Sequence, residues 1–469
     1  FRNKVAVVNN TITNTYGAIY FDAATAATTT GNISTNDTLN LVSGNTVSNF
    51  GGSSTEVRAI RFANNRGIQI INNNVTTLGA GHTATVYCID GGSGPHGIIS
   101  GNSITVNAPS TFYGINWGSS GTNNTATISN NIISNSVISS ASSTYYGIAY
   151  SLSGDNSNIN VTGNTVSGIT STSARTSGTV YGFYGYTSFR NVNVNGNTFT
   201  NNNIGGTSVT YTGATYGIYY YAYGQVAGNL GSVSNNSITN NTFNGTGTVY
   251  GVYLGGYTAT GLAAGSVTFN ANGNVITGNT KTSTGSFLGI NSLMYYAAFN
   301  PTMSNNNISN NVINGGAGAC VFNGIDMSNT STTYGASWNI TSNTISDNSI
   351  LSVTGANTAS LAGINYQQQL GGVNPTIANN TIQNMNLGGS STAIQNIYGV
   401  YVNGAANNNH VISSNTIHNL SSTSTGNTNI IGIYIGTSNL ASVAANKVAG
   451  LSAANGVNST VDGISVGGG

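Results

Sequence analysis

A short motif, roughly apolar-x-(Asn/Gly)-Asn-x-(Ile/Val/Phe), recurs from one end of this 469-residue chain to the other. Its Asn falls at Asn10, Asn45, Asn73, Asn102, Asn131, Asn164, Asn197, Asn236, Asn274, Asn306, Asn343, Asn380, Asn415 and Asn446, which are 14 copies spaced 28 to 39 residues apart. Between successive copies lies a second motif, (Tyr/x)-Gly-(Ile/Val/Phe)-x-apolar, as at Gly147-Ile148, Gly217-Ile218, Gly324-Ile325 and Gly432-Ile433. Ala59-Ile60 and Cys88-Ile89 fill that slot in the early copies. Drift of a low-complexity sequence would not hold two motifs in alternation, so the chain is built from repeats.

The texture around each motif is strand. Apolar residues alternate with polar ones, as in Val161-Thr162-Gly163-Asn164-Thr165-Val166, and no 3.6-residue stripe appears. A unit of about 33 residues with several short strands and no helix cannot bury a face alone. Stacked copies can, each coil pairing with the next about 4.8 Å along a common axis. No shift of composition or Pro-rich linker interrupts the series, so residues 1–469 read as one continuous domain.

The pattern I-x-x-N-x-I followed by Y-G-I-x-Y resembles the right-handed parallel β-helix of the pectin-lyase-like repeat family, over essentially the whole chain. The resemblance implies an all-β, right-handed parallel β-helix of about 13–14 coils, ~60–65 Å long at ~4.8 Å per coil. It also implies that the repeated Asn residues, Asn45 through Asn446, occupy a tight turn and stack into a hydrogen-bonded ladder. Asn tolerates left-handed backbone, and its amide both donates and accepts. The extra coil length is expected in Ser/Thr/Gly-rich loops such as 170–178 and 421–428.

Repeat register also predicts columns of side chains. In the Gly-Ile-x-Tyr strand the outward position reads Arg61, Asp90, Asn116, Ala149, Tyr184, Tyr219, Tyr253, Asn291, Asp326, Asn365, Tyr401, Tyr434, Ser465. Enzymes of the resembled family place catalytic groups on an outward strand face. Glycoside hydrolysis by inversion needs two carboxyl groups about 6.5–9.5 Å apart. Asp326 is flanked in its column by Asn291 and Asn365, and Asp90 by Arg61, which reads as an ion pair. The family's paired Asp, His-Gly and Arg-x-Lys signatures are absent, so no catalytic, cofactor-binding or metal-ligating residue is assigned.

Only 4% of residues are charged, and the formal net charge is +1. That balance gives no basic field for nucleic acid, and no apolar run is long enough for a membrane helix. Nine of the 17 charges fall in the first 100 residues, with His82 and His96 nearby, and read as surface ion pairs. Tyr184, Tyr219 and Tyr253 read as an exposed aromatic run, a candidate platform for sugar rings. Ice binding is set aside because Thr is expected in loops of unequal length. Cys88 and Cys320, about seven coils apart, are too distant for a disulfide, whose Cα atoms lie within about 7 Å.

The expected function is a non-enzymatic extracellular or cell-surface fibre, spacer or adhesin stalk. It resembles the large repeat-bearing surface proteins secreted by bacteria. Its expected partners are like subunits or flanking repeats stacked end to end, since neither end carries a capping motif and the chain reads as part of a longer protein or as a filament subunit. The alternative is a carbohydrate-binding or polysaccharide-degrading β-helix that uses the Tyr face and binds surface glycans.

Overall fold

In a computed structural model the chain is a parallel β-solenoid, and every paired strand runs parallel to its neighbour from the next coil. The structure describes residues 4–467 apart from 23–38, 53–55, 64–65, 80–81, 93–95, 121–124, 154–156, 173–174, 189, 207–209, 226, 259–261, 264–265, 295–298, 330–336, 369–373, 405–408, 437–439 and 455–458. Among the described residues there is no helix.

Each coil contributes to three sheets. The first is a 14-stranded sheet running from Ala6–Val8 to Leu440–Ala444, and the third, also 14-stranded, runs from Ile19–Asp22 to Thr460–Val466. Between them lies a sheet of shorter strands, from Thr11–Thr13 to Lys447–Ala449. Fourteen strands in each flanking sheet equal the fourteen repeated Asn residues, so one sequence repeat makes one coil. The core is a single apolar column in which Ile, Val and Phe from successive coils meet, such as Val166, Phe199, Ile238 and Ile276, all 1% exposed or less.

Two turns of one shape shape each coil. The ladder Asn does not itself take left-handed backbone; the residue before it does, as at Asn9, Gly44, Gly101, Asn130, Asn235 and Gly273, with φ between 54° and 66°. Five residues later a second left-handed residue closes the middle strand, as at Asn14, Asn135, Asn240 and Asn310. Gly and Asn dominate these positions because other residues carry a steric penalty there.

The Gly of the second motif has a different cause. A Cβ at Gly147, Gly182, Gly217 or Gly251 would lie 2.6 Å from the carbonyl oxygen of the corresponding glycine in the next coil. The same contact would be 2.4–2.7 Å for the other members of the column from Gly114 to Gly432. Backbone of adjacent coils therefore approaches closely here, and the strand bends.

Some local expectations are corrected. Thr170–Ser171 and Thr416–Ser422 are strands, so the expected loops at 170–178 and 421–428 begin later, and 173–174 lies outside the described residues. Thr likewise sits in strands rather than only in loops: Thr165 and Thr198 pair in register in the middle sheet. Their outward column is interrupted by Asn74, Ile132, Val275 and Asn307, so it forms no uniform hydroxyl grid. Cys88 and Cys320 are buried free thiols, as their distance along the axis requires.

Candidate functional site

The ladder is continuous. From Asn10 to Asn446, each Nδ2 donates to the Oδ1 of the next Asn at 2.8–3.0 Å, thirteen times in succession. Each backbone N–H donates to the same Oδ1, as from Asn164 to Asn197 at 3.0 Å. The second Nδ2 hydrogen goes back to a carbonyl of the preceding coil, as from Asn236 to Val194 at 2.9 Å. An interior amide thus uses two donors and two acceptor sites, its full capacity, while nearly sealed from water.

A second ladder accompanies the first. Asn202, Asn241, Asn279, Asn311 and Asn348 link by Nδ2–Oδ1 bonds of 2.8–3.0 Å, each five residues after a member of the main ladder. The motif Asn-x-apolar-x-x-Asn, as in Asn236-Ser237-Ile238-Thr239-Asn240-Asn241, carries this signal in the sequence, where it was masked by the abundance of Asn. It ends where Met385 and Leu420 take the same slot and pair with one another.

The third sheet carries the outward column in the expected register without a break: Arg61 pairs with Asp90, Tyr184 with Tyr219, Asn291 with Asp326, and Tyr434 with Ser465. The bend at the glycine column turns the preceding outward residue toward the same space. Tyr181 and Tyr184, on either side of Gly182, meet edge to face with centroids 5.0 Å apart. The outer surface of this sheet is therefore a two-walled groove parallel to the axis.

In the middle of the groove both walls are tyrosine. Tyr87, Tyr113, Tyr146, Tyr181, Tyr216 and Tyr250 stack face to face at 4.4–5.0 Å with planes within 10° of parallel. Tyr184, Tyr219 and Tyr253 stack likewise at 5.2 and 4.8 Å, perpendicular to the first row. The expectation that these three lie exposed is corrected: all are half-buried, and Tyr219 has a ring on each face. What the row presents outward is ring edges and hydroxyls. Burial pushes the Tyr87 and Tyr146 hydroxyls up to about 12, and raises Tyr181 and Tyr216 further.

Polar clusters flank the tyrosines. Toward the N-terminal end Arg58 pairs with Glu56 and Asp90, and Asn116 Nδ2 donates to Asp90 Oδ1 at 2.8 Å. The sequence pointed to Arg61 as the partner of Asp90. Arg58 holds it from the other wall, because the bend aims positions 58 and 90 into the same space, while Arg61 lies beside Asp90 in register. His96 Nδ1 accepts from the Thr125 N–H at 3.1 Å, and His82 is buried. Arg2 and Asp37 lie outside the described residues.

Beyond Tyr253 the groove becomes an amide cluster. Asp326, 2% exposed, accepts from Asn291 Nδ2 at 2.7 Å, Asn323 Nδ2 at 2.7 Å and Asn365 Nδ2 at 2.6 Å. Three amide donors hydrogen-bond the carboxylate. Register foretold Asn291 and Asn365; Asn323 comes from the opposite wall, which only the bend brings near. Asp90 and Asp326, the two carboxylates in this column, are seven coils apart, about 34 Å at ~4.8 Å per coil.

Two buried cations were not singled out in the sequence. Arg175 bonds the carbonyls of Ser140, Ser143 and Gly178 and lies 5.3 Å from the Tyr211 ring centroid. Lys281 Nζ bonds the carbonyls of Gly245 and Gly247 at 2.6 and 2.8 Å, and burial lowers its ammonium to about 8. Both supply donors to backbone carbonyls at a corner of the coil, and the Gly178 carbonyl also accepts from the Tyr211 hydroxyl at 2.9 Å. Among the described residues no group of three or more His, Cys, Asp or Glu could hold a metal ion. None of their helices could cross a membrane, since they form none. Comparison with known families and with curated proteins finds no match to this chain.

Proposed function

We propose that this chain is a non-enzymatic structural protein, a rigid β-helical rod that serves as an extracellular or cell-surface fibre, spacer or adhesin stalk. The observation that carries this reading is the thirteen-step ladder of fully bonded amides running the length of the solenoid. Its architecture suits a load along one axis, because every coil is tied to the next by backbone and side-chain bonds. The scarcity of charge fits as well: columns of like residues ~4.8 Å apart tolerate Asn, Thr, Ser and Tyr but would repel if charged. Partners in this reading are like subunits or flanking repeats stacked end to end.

Small-angle scattering tests it. A rod about 65 Å long, from ~4.8 Å per coil, supports the reading, and a flexible or compact particle opposes it. Labelling of intact cells with an antibody to the chain tests the surface location.

The carbohydrate-binding reading is favoured by one observation, the register that sets the Asp326 cluster between Tyr253 and Tyr401 in one column. Binding on a glycan array that is lost in a Tyr184, Tyr219 and Tyr253→Ala variant would favour it. No glycan affinity together with fibres seen on cells would favour the rod.

A further inference from the structure

The two tyrosine rows of the groove touch each other between coils as well as within them. Each ring of the second row meets two rings of the first, one in its own coil and one in the preceding coil. Tyr219 lies edge to face with Tyr216 at 5.2 Å and with Tyr181 at 5.5 Å. Tyr184 repeats this with Tyr181 and Tyr146 at 5.0 and 5.3 Å, and Tyr253 with Tyr250 and Tyr216 at 5.6 and 5.7 Å. All these rings are partly exposed, so hydroxyls and edges reach solvent although the faces are covered.

A phenol that loses one electron and its hydroxyl proton becomes a phenoxyl radical. Its unpaired spin lies on the oxygen, on the two Cε carbons and on Cγ; Cβ blocks Cγ, so neighbouring radicals join chiefly Cε to Cε. A biaryl made in this way keeps its two Cβ atoms farther apart than the ~4.8 Å step between coils. Rings stacked within a row hang from Cβ atoms one such step apart. They cannot be joined without moving backbone that the glycine contacts beside them hold close. Rings facing across the groove hang from columns three residues apart on the bent strand, so their Cβ atoms have the wider spacing.

We propose that the groove is a site of oxidative modification, at which tyrosines of successive coils couple across it into dityrosine: Tyr146 with Tyr184, Tyr181 with Tyr219, and Tyr216 with Tyr253. These pairs share no residue, so all can form in one molecule. The oxidant is hydrogen peroxide acting through a haem peroxidase, which takes electrons one at a time from the exposed ring edges. In each pair both tyrosines give up one electron and one phenolic proton, and a Cε–Cε bond forms. Each coupled Cε then passes its hydrogen to its own oxygen, which restores two phenols. The two electrons and two protons released reduce one hydrogen peroxide to two waters. Rings already held in contact couple within a molecule faster than between molecules. Each new bond closes a loop of about one coil and so restricts the unfolded chain.

The test treats the 469-residue chain in dilute solution with a haem peroxidase and hydrogen peroxide, beside a Tyr184→Phe/Tyr219→Phe/Tyr253→Phe variant. Phenylalanine keeps each ring but has no phenolic proton to lose, and circular dichroism checks that the variant is folded. Dityrosine fluorescence should appear in the monomer fraction of the unmodified chain, and mass spectrometry of its digest should find peptides linked at the three named pairs. Its melting temperature should rise on oxidation. In the variant these linked peptides should be absent and the melting temperature should stay where it was. If the variant does not fold, the linked peptides of the unmodified chain decide alone. Monomers without dityrosine, or links confined to Tyr16, Tyr20 and Tyr223, which are 50%, 44% and 48% exposed, would overturn the proposal. Links between stacked neighbours such as Tyr146 and Tyr181 would overturn the pairing across the groove. A melting temperature that oxidation of the unmodified chain leaves unchanged would overturn the covalent tie between coils.

Discussion

Asn197 and Asn236 are separated by 39 residues, the widest gap in the ladder, yet Asn197 Nδ2 meets Asn236 Oδ1 at 3.0 Å. Asn45 and Asn73, separated by 28 residues, meet at 2.9 Å. Coil length varies while the step between coils does not. The solenoid is held by its columns, and surplus residues leave between them.

Removal of an interior ladder amide should therefore cost far more than removal of a terminal one. Asn236→Ala deletes the acceptor for the Asn197 N–H and Nδ2 and leaves both buried donors unpaired. A loss of about 2–4 kcal/mol is expected, from ~1–3 kcal/mol per unsatisfied buried group. Asn10→Ala, at an exposed position that only donates to the ladder, should cost about 1 kcal/mol or less on the same scale. Guanidinium unfolding of the two variants checks the ranking, and equal losses would contradict it.

The glycine column makes a sharper contrast. In Gly217→Ala the new Cβ would lie 2.6 Å from the Gly251 carbonyl oxygen, whereas at Gly463 nothing lies within 4 Å. The first substitution should destabilise by about 1–3 kcal/mol, the usual cost of overpacking, and the second should be near neutral. Thermal melts read the difference.

Some turn positions carry strain that can be relieved. Ser342 and Ser414 hold φ values of 59° and 56°, in the slot filled by glycine in other coils. Ser342→Gly and Ser414→Gly should each stabilise the fold by about 1 kcal/mol, because the left-handed penalty outweighs the added freedom of the unfolded chain. A lowered melting temperature in both would refute the turn assignment.

The stacked tyrosines predict alkaline sensitivity. Burial holds the Tyr87, Tyr146 and Tyr398 hydroxyls up to about 12, above the ordinary value of about 10. Between these values the unfolded chain releases protons that the folded chain keeps, so stability is full below pH 10 and falls as pH rises toward 12. Phenolate absorbance should lag that of free tyrosine and then rise together with loss of the β-sheet signal. Tyrosines that ionise near pH 10 with the fold intact would contradict the stacking.

How much of this was legible in the sequence differs by feature. The ladder, the outward column and the separation of the cysteines follow from repeat register alone, since a stacked coil converts spacing into adjacency. The bend at the glycine column does not follow from register, and three features trace to it. Arg58 reaches Asp90 from the other wall. Asn323 joins Asp326 from the other wall. Tyr184 and Tyr219 are half-buried because the Tyr181 and Tyr216 rings close on them. Glycine showed where the backbone was constrained, but the contact that constrains it is with the next coil, which no single repeat contains.

Coil-to-coil register is the claim on which the rest stands, and a cysteine-pair experiment reads it most directly. Asn160 and Asn193 pair across adjacent coils and their amides meet at 3.3 Å, whereas Val194, the next residue, points into the core. Paired strands lie ~4.8 Å apart, within disulfide reach. Asn160→Cys/Asn193→Cys should close a disulfide under mild oxidation, and Asn160→Cys/Val194→Cys should stay reduced. Closure of the second pair in preference to the first would contradict the solenoid described here.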